Sequence, residues 1–163
     1  MLFIDTEENL NDLPRLRALG ENALDLACMD GDFSLSLNFV PLEEMRRLNR
    51  EFRKVDSGTD VLSFPMIEFK RAQYSAQCTV HSAQLSDQFA LELDENGNVF
   101  LGDIVMCPEV LVRQAAEYGH SAERETEYLF VHALLHLVGF DHSTDAEKKE
   151  MRAIEKEVLK EII

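Results

Sequence analysis

Cysteine is too sparse in this sequence to build with: Cys28, Cys78 and Cys107 are far apart and form no CxxC pair. An odd, scattered set argues against a disulfide framework or a thiolate zinc knot, so reduced, mostly buried thiols are expected. Long apolar runs are lacking as well. No stretch approaches the roughly 20 uninterrupted apolar residues that a membrane span needs, and the opening MLFIDTEENL has none of the basic, apolar and small-residue zones of a secretory signal. A cytoplasmic protein with no membrane partner is the expectation. Positive charge is the third shortage: 16 Lys and Arg stand against 31 Asp and Glu, a formal net charge of −15. This works against a nucleic-acid partner, because phosphate binding rests on Lys and Arg. The cations are nevertheless concentrated, with Arg46, Arg47, Arg50, Arg53 and Lys54 inside nine positions.

What is present suits one globular domain over residues 1–163, with 45% apolar and 29% charged residues. Met1 to Ile4 reads as a short strand. Asn11 or Asp12 then caps a helix with Pro14 in its first turn and Leu16, Leu19, Ala23 and Leu26 as its buried stripe. Phe33 to Val40 alternates strictly, which predicts a half-buried strand. Pro41 opens a helix with Leu42, Met45, Leu48 or Asn49, and Phe52 inward, and with Arg46, Arg50 and Arg53 sharing another face. Asp56-Ser57-Gly58 is turn chemistry, and Val61–Phe64 is a strand closed by Pro65. Residues 68 to 97 are polar and weakly periodic, an excursion before the strand Val99–Met106. Pro108 starts a helix that Gly119 ends.

From Ser121 a helix begins with Glu123 and Glu125 in its first turn and becomes apolar on every side, through Leu129, Phe130, Val131, Leu134, Leu135, Leu137 and Val138. It reads as the buried centre of the molecule. Thr144 and Glu147 have capping-box spacing ahead of a last helix striped by Met151, Ile154, Val158 and Ile162. The pattern predicts an α+β fold, a small mixed β-sheet packed with about five helices around one buried, histidine-bearing helix.

His132 and His136 are four apart, so both imidazoles leave one face of that helix about a turn from each other. Gly139 ends the helix and lets His142 return as a third ligand from the loop. Neutral imidazole suits Zn²⁺ in one copy per chain, although other transition ions also accept three imidazoles. Three protein ligands leave a fourth position open, the arrangement of catalytic rather than structural zinc. Asp141 is a candidate to orient a ligating ring. His81 and His120 lack ligand spacing and read as ordinary structural histidines.

The same spacing reproduces the metzincin protease signature HExxHxxGxxH, whose Glu takes the proton from water. That position is Ala133 here. A metalloprotease therefore stands as the alternative rather than the first reading.

Three blocks together, LNREFRKVDSGTDVLSFP at 48–65, LGDIV at 101–105 and HALLHLVGFDH at 132–142, closely resemble the YbeY family of bacterial endoribonucleases. The resemblance implies a zinc-dependent, single-strand-specific endoribonuclease acting on ribosomal RNA, in small-subunit rRNA 3′-end maturation and ribosome quality control. Single-stranded RNA and ribosomal RNA are the implied partners, with ribosomal proteins or ribosome-associated factors also in view and no DNA. His132, His136 and His142 match the family's zinc ligands, and Arg53 matches its characteristic arginine, giving a catalytic guanidinium suited to a scissile phosphate. Thr59, Asp60 and Ser63 either shape the cleft wall or hold a loop to its backbone. Gly102 permits close backbone approach, and Asp103 is a candidate to orient water or a ligand. Ala133, Phe140 and Gly58 replace a usual glycine, tyrosine and proline, and the stretch between Pro65 and Leu101 is long for the family. No general base is assigned. A non-catalytic ribosome assembly factor with structural zinc is the other alternative.

Overall fold

The alternating segment becomes, in the computed structural model of the protein, an inner strand of a four-stranded sheet. The structure describes residues 1–69, 79–82, 85 and 93–160. Strand β3 (Phe33–Phe39) pairs in parallel with β1 (Leu2–Asp5) and with β6 (Val99–Met106), and β4 (Val61–Pro65) runs antiparallel along the far side of β6, giving the order β1-β3-β6-β4. The sheet is therefore mixed, as the sequence pattern predicted. Two short strands, β2 (Met29–Asp30) and β5 (Val80–His81), form a separate parallel pair.

Among the described residues there are five α-helices: α1 (Leu13–Leu26), α2 (Leu42–Leu48), α3 (Pro108–Tyr118), α4 (Ala122–Leu137) and α5 (Asp145–Leu159). Helix α4 packs against α1, α3, α5 and β4, which is why it can be apolar all round: Leu129, Phe130, Val131, Ala133, Leu134, Leu135 and Leu137 are buried. Ser121 caps its start by accepting from the Arg124 backbone N–H at 3.2 Å. At its other end Gly139 adopts φ +91° and donates to the His136 carbonyl at 3.1 Å, while Phe140 reaches back to Leu135 at 3.0 Å. These bonds satisfy the last carbonyls of the helix and reverse the chain. The capping box of Thr144 and Glu147 starts α5 as expected. No described helix is long and apolar enough to cross a membrane.

Some side chains sit differently from the pattern. Leu26 is 41% exposed and Leu24 is buried, because the inward stripe of α1 runs Leu16, Leu19, Gly20, Ala23 and Leu24 at regular helical spacing and Leu26 falls beside it. Ser34 is buried although it alternates with the apolar residues of β3; it sits on an inner strand, opposite Phe3 of β1 and Phe100 of β6. Leu42 and Phe52 are exposed, and α2 packs through Met45 and Asn49. Helix α2 continues into a π-helical turn, Asn49–Arg53, that ends at Lys54 with φ +60°. Its wider i→i+5 winding breaks the α-helical periodicity of the five cations. Phe52 packs edge-on against Phe64 of β4, ring centroids 5.1 Å apart. Ile162 and most of the excursion at 68–97 lie outside the described residues.

One glycine fixes the sheet beside the cleft. Gly102 has φ +136°, and a Cβ there would stand 2.1 Å from the Phe64 carbonyl oxygen of the neighbouring strand. Gly119 also has a positive φ, +73°, but faces open space. Gly102→Ala is therefore expected to lower the unfolding free energy by more than about 2 kcal/mol, and Gly119→Ala by only about 1 kcal/mol, as read from denaturant titration.

Candidate functional site

The two helical histidines meet where α4 emerges from the core. His132 Nε2 and His136 Nε2 are 3.2 Å apart. Each ring is held by its other nitrogen: His132 Nδ1 lies 2.7 Å from Glu155 Oε1, and His136 Nδ1 lies 2.9 Å from the Phe140 carbonyl. Carboxylate and carbonyl oxygens accept, so each Nδ1 carries the ring proton and each Nε2 presents a bare lone pair. Two lone pairs at that distance have no hydrogen between them and repel. A shared cation removes the repulsion, and imidazoles on a tetrahedral ion with bonds of about 2.0–2.1 Å would stand about 3.4 Å apart. Burial, reinforced by the neighbouring His132, lowers the pKa of His136 and favours its neutral, ligating form. His142, exposed on the loop after Gly139, brings a third nitrogen, and the candidate donor atoms all lie within 4.8 Å of one another. The donor set fits a borderline-soft divalent ion with room left for a fourth group.

Glu155 is not legible from local spacing, being 23 positions after His132. Its signal is subtler. Met151, Glu155 and Val158 follow i, i+4, i+7 and all three are buried, so a carboxylate occupies the inward stripe of a helix that is otherwise polar outside. Asp141, the candidate for orienting a ring, accepts instead from the His142 backbone N–H at 2.7 Å and from Ser143 Oγ at 2.5 Å. The Ser143 bond, the largest cause, and then the His142 N–H lower its pKa. Its work is to pin the loop that carries His142.

The histidines open into a cleft of about 510 Å³ whose walls include Arg53, Asp60, Ser63, Tyr128 and Asp141. Thus Arg53 and all three histidines share one cavity. Arg53 arrives through the π-helical turn and donates from Nη2 to the Ser63 carbonyl of β4 at 3.0 Å. The other four cations of the basic segment are already engaged. Arg46 grips Asp56 through two bonds of 2.8 and 3.1 Å, Arg47 pairs with Glu44 and Glu51, Arg50 lies 3.8 Å from Asp56, and Lys54 donates to the Glu51 carbonyl. Arg53 has no carboxylate partner among the described residues. The basic helix face is therefore mostly balanced locally, and its terminal guanidinium alone enters the cleft.

Asp60 lines the cleft but is held by the Val61 backbone N–H at 2.8 Å and by the Thr59 hydroxyl at 3.1 Å; it is a loop-fixing group as well as a wall. Asp103 accepts from Ser36 across the β3–β6 pair and is not among the cleft residues. Tyr128, unremarked in the sequence pattern, lies beside His132 with ring centroids 5.8 Å apart. Burial first and the Glu155 charge second push its hydroxyl up to about 12, so it stays protonated and can donate. His81 pairs with Asp30 and His120 with Glu125, in keeping with structural roles.

If Glu155 orients His132 for a metal, Glu155→Gln keeps the shape but weakens the hold on the ring. About tenfold weaker zinc binding is expected in chelator competition, with His136→Ala losing binding altogether.

Comparison with known proteins gives a consistent answer. The family model described as Endoribonuclease YbeY matches residues 4–163. A Clostridium acetobutylicum protein named Endoribonuclease YbeY is 40% identical over 98% of this chain and 96% of its own length. Its namesake from Caldanaerobacter subterraneus subsp. tengcongensis is 37% identical over 99% and 96%. A Thermotoga maritima protein known from its solution structure superposes with a TM-score of 0.56 at 25% identity, over 99% of this chain and 91% of that one. A match of this extent, to a family model and to curated relatives alike, shows that the chain belongs to the YbeY family of endoribonucleases.

Proposed function

We propose that the cleft hydrolyses phosphodiester bonds in single-stranded RNA, with a zinc ion held by His132, His136 and His142 and with Arg53 as the phosphate-binding catalytic residue. The observation that carries this reading is the shared cavity: three convergent imidazoles and an arginine with no carboxylate partner among the described residues face the same 510 Å³. When bound, the metal supplies a Lewis acid that polarises a phosphoryl oxygen and makes a strong nucleophile available near neutral pH.

The chain's own groups do the rest. Ser63 occupies one N–H of the Arg53 fork and so fixes its direction, leaving its other donors for two oxygens of a phosphate. Such a paired contact positions the scissile group and gains strength as charge develops on it. Tyr128 stays protonated beside His132 and offers a hydroxyl donor at the same wall. Glu155 and the Phe140 carbonyl hold two of the imidazoles in the tautomer that ligates. On α4 the site of the metzincin carboxylate is the methyl of Ala133, which favours RNA over peptide as substrate. Ribosomal RNA, processed during small-subunit maturation and surveyed in ribosome quality control, is the natural substrate we assign, and a ribosomal protein or ribosome-associated factor is the partner that would deliver it.

The test is digestion of unstructured RNA by zinc-loaded protein. His136→Ala is expected to lose both metal and cleavage. Arg53→Ala should keep one zinc per chain yet lose roughly a hundredfold or more in kcat, while Arg53→Lys restores charge without the fork and recovers only part. Cleavage of unfolded protein with no cleavage of RNA would overturn the reading.

A further inference from the structure

A second cavity adjoins the first. It measures about 360 Å³, is lined by Tyr118, His120, Arg124, Glu125, Tyr128 and Leu159, and shares Tyr128 with the catalytic cleft. The chain has three tyrosines, Tyr74, Tyr118 and Tyr128; both that fall among the described residues stand here. Tyr118 is 66% exposed and Tyr128 38%, so both rings reach the surface. Helix α3 ends at Tyr118, and Gly119 turns left-handed at φ +73°, which brings His120 alongside with ring centroids 5.9 Å apart and planes 31° off parallel. The His120 ring is fixed by Glu125 at 3.1 Å and by the Ser121 carbonyl at 3.2 Å. Arg124, one turn into the region, has no ion-pair partner among the described residues.

Flat exposed aromatics beside an uncommitted guanidinium are what a single strand requires: unpaired bases stack on the rings, and the cation meets the backbone. A duplex keeps its bases stacked inside and cannot use such faces. On a surface with net charge −15, a protein that holds an RNA strand gains more from stacking than from a general positive field. We propose that this corner is a base-stacking subsite for single-stranded RNA. Tyr118, supported by His120, takes an unpaired base of the strand that leaves the catalytic cleft past Tyr128, and Arg124 contacts the flanking phosphate. The proposal rests on the ribonuclease reading of the neighbouring cleft.

Steady-state cleavage by the zinc-loaded protein tests it, with an unstructured oligonucleotide about twelve nucleotides long and a dinucleotide that occupies the cleft alone. For the long substrate Tyr118→Ala is expected to raise KM roughly five- to thirty-fold, the loss of one base–aromatic stack, and to change kcat less than about twofold. Tyr118→Phe keeps the ring and should stay within about twofold of wild type, while Arg124→Ala should raise KM severalfold. Neither alanine variant should affect the dinucleotide, and Tyr118→Ala should leave the melting temperature unchanged, since Tyr118 is mostly solvent-facing. If wild type cleaves both substrates and the two alanine variants match it on the long one, the subsite is wrong and the ribonuclease stands. If wild type cleaves neither, the ribonuclease reading fails and the subsite with it.

Discussion

Two ring nitrogens aimed at each other across 3.2 Å are the constraint on which the rest of the site depends. They hold that position because α4 is locked into the core by its apolar surface and because separate groups grip the far side of each ring. One grip comes from the loop just beyond the helix, where Gly139 turns the chain and presents the Phe140 carbonyl. The other comes from Glu155 on α5, buried against the same helix. Such outer groups set the tautomer and direction of an imidazole, and so decide whether its lone pair is available to a metal. The helix, the turn and α5 thus converge on one chemical outcome.

Electrostatics follows the same economy. A chain with this excess of acid is on average a poor match for a phosphate polymer, and its cluster of five cations offers little relief because four are already engaged by neighbouring carboxylates or carbonyls. Exposed pairs of this kind add little stability. Their consequence is selective: Arg53, displaced by the π-helical turn onto β4, is left as the guanidinium of the segment that faces the cleft. π-Helical turns recur at functional sites for this reason, since one extra residue re-aims the side chains beyond it. Charge is placed at a point rather than spread over a face.

Much of this is legible from the residues alone. The α+β class, the mixed sheet, the start of α3 at Pro108, the central helix and the three histidines all follow from periodicity, capping and spacing, and the family resemblance carries Arg53. Two kinds of feature escape such a reading. Glu155 and Tyr128 act through tertiary proximity, and no local motif joins positions 132 and 155. The π-helical winding of Asn49–Arg53 is likewise invisible to a 3.6-residue pattern, which points Leu42 and Phe52 inward whereas the short helix buries Met45 and Asn49. Asp141, adjacent to a histidine in sequence, is the natural candidate for holding a ring. Its geometry instead fixes the loop, because a neighbouring residue's side chain reaches its own turn more easily than the next imidazole.

In the proposed mechanism His132, His136 and His142 would together hold one divalent ion and leave its fourth position open. X-ray absorption at the metal edge of the zinc-loaded protein measures this directly. Three imidazole nitrogens at about 2.0–2.1 Å and one light, exchangeable ligand are expected, the last replaced by sulfur when a phosphorothioate single-stranded RNA is added. A closed shell of four protein ligands, or a first shell unchanged by that RNA, would contradict it.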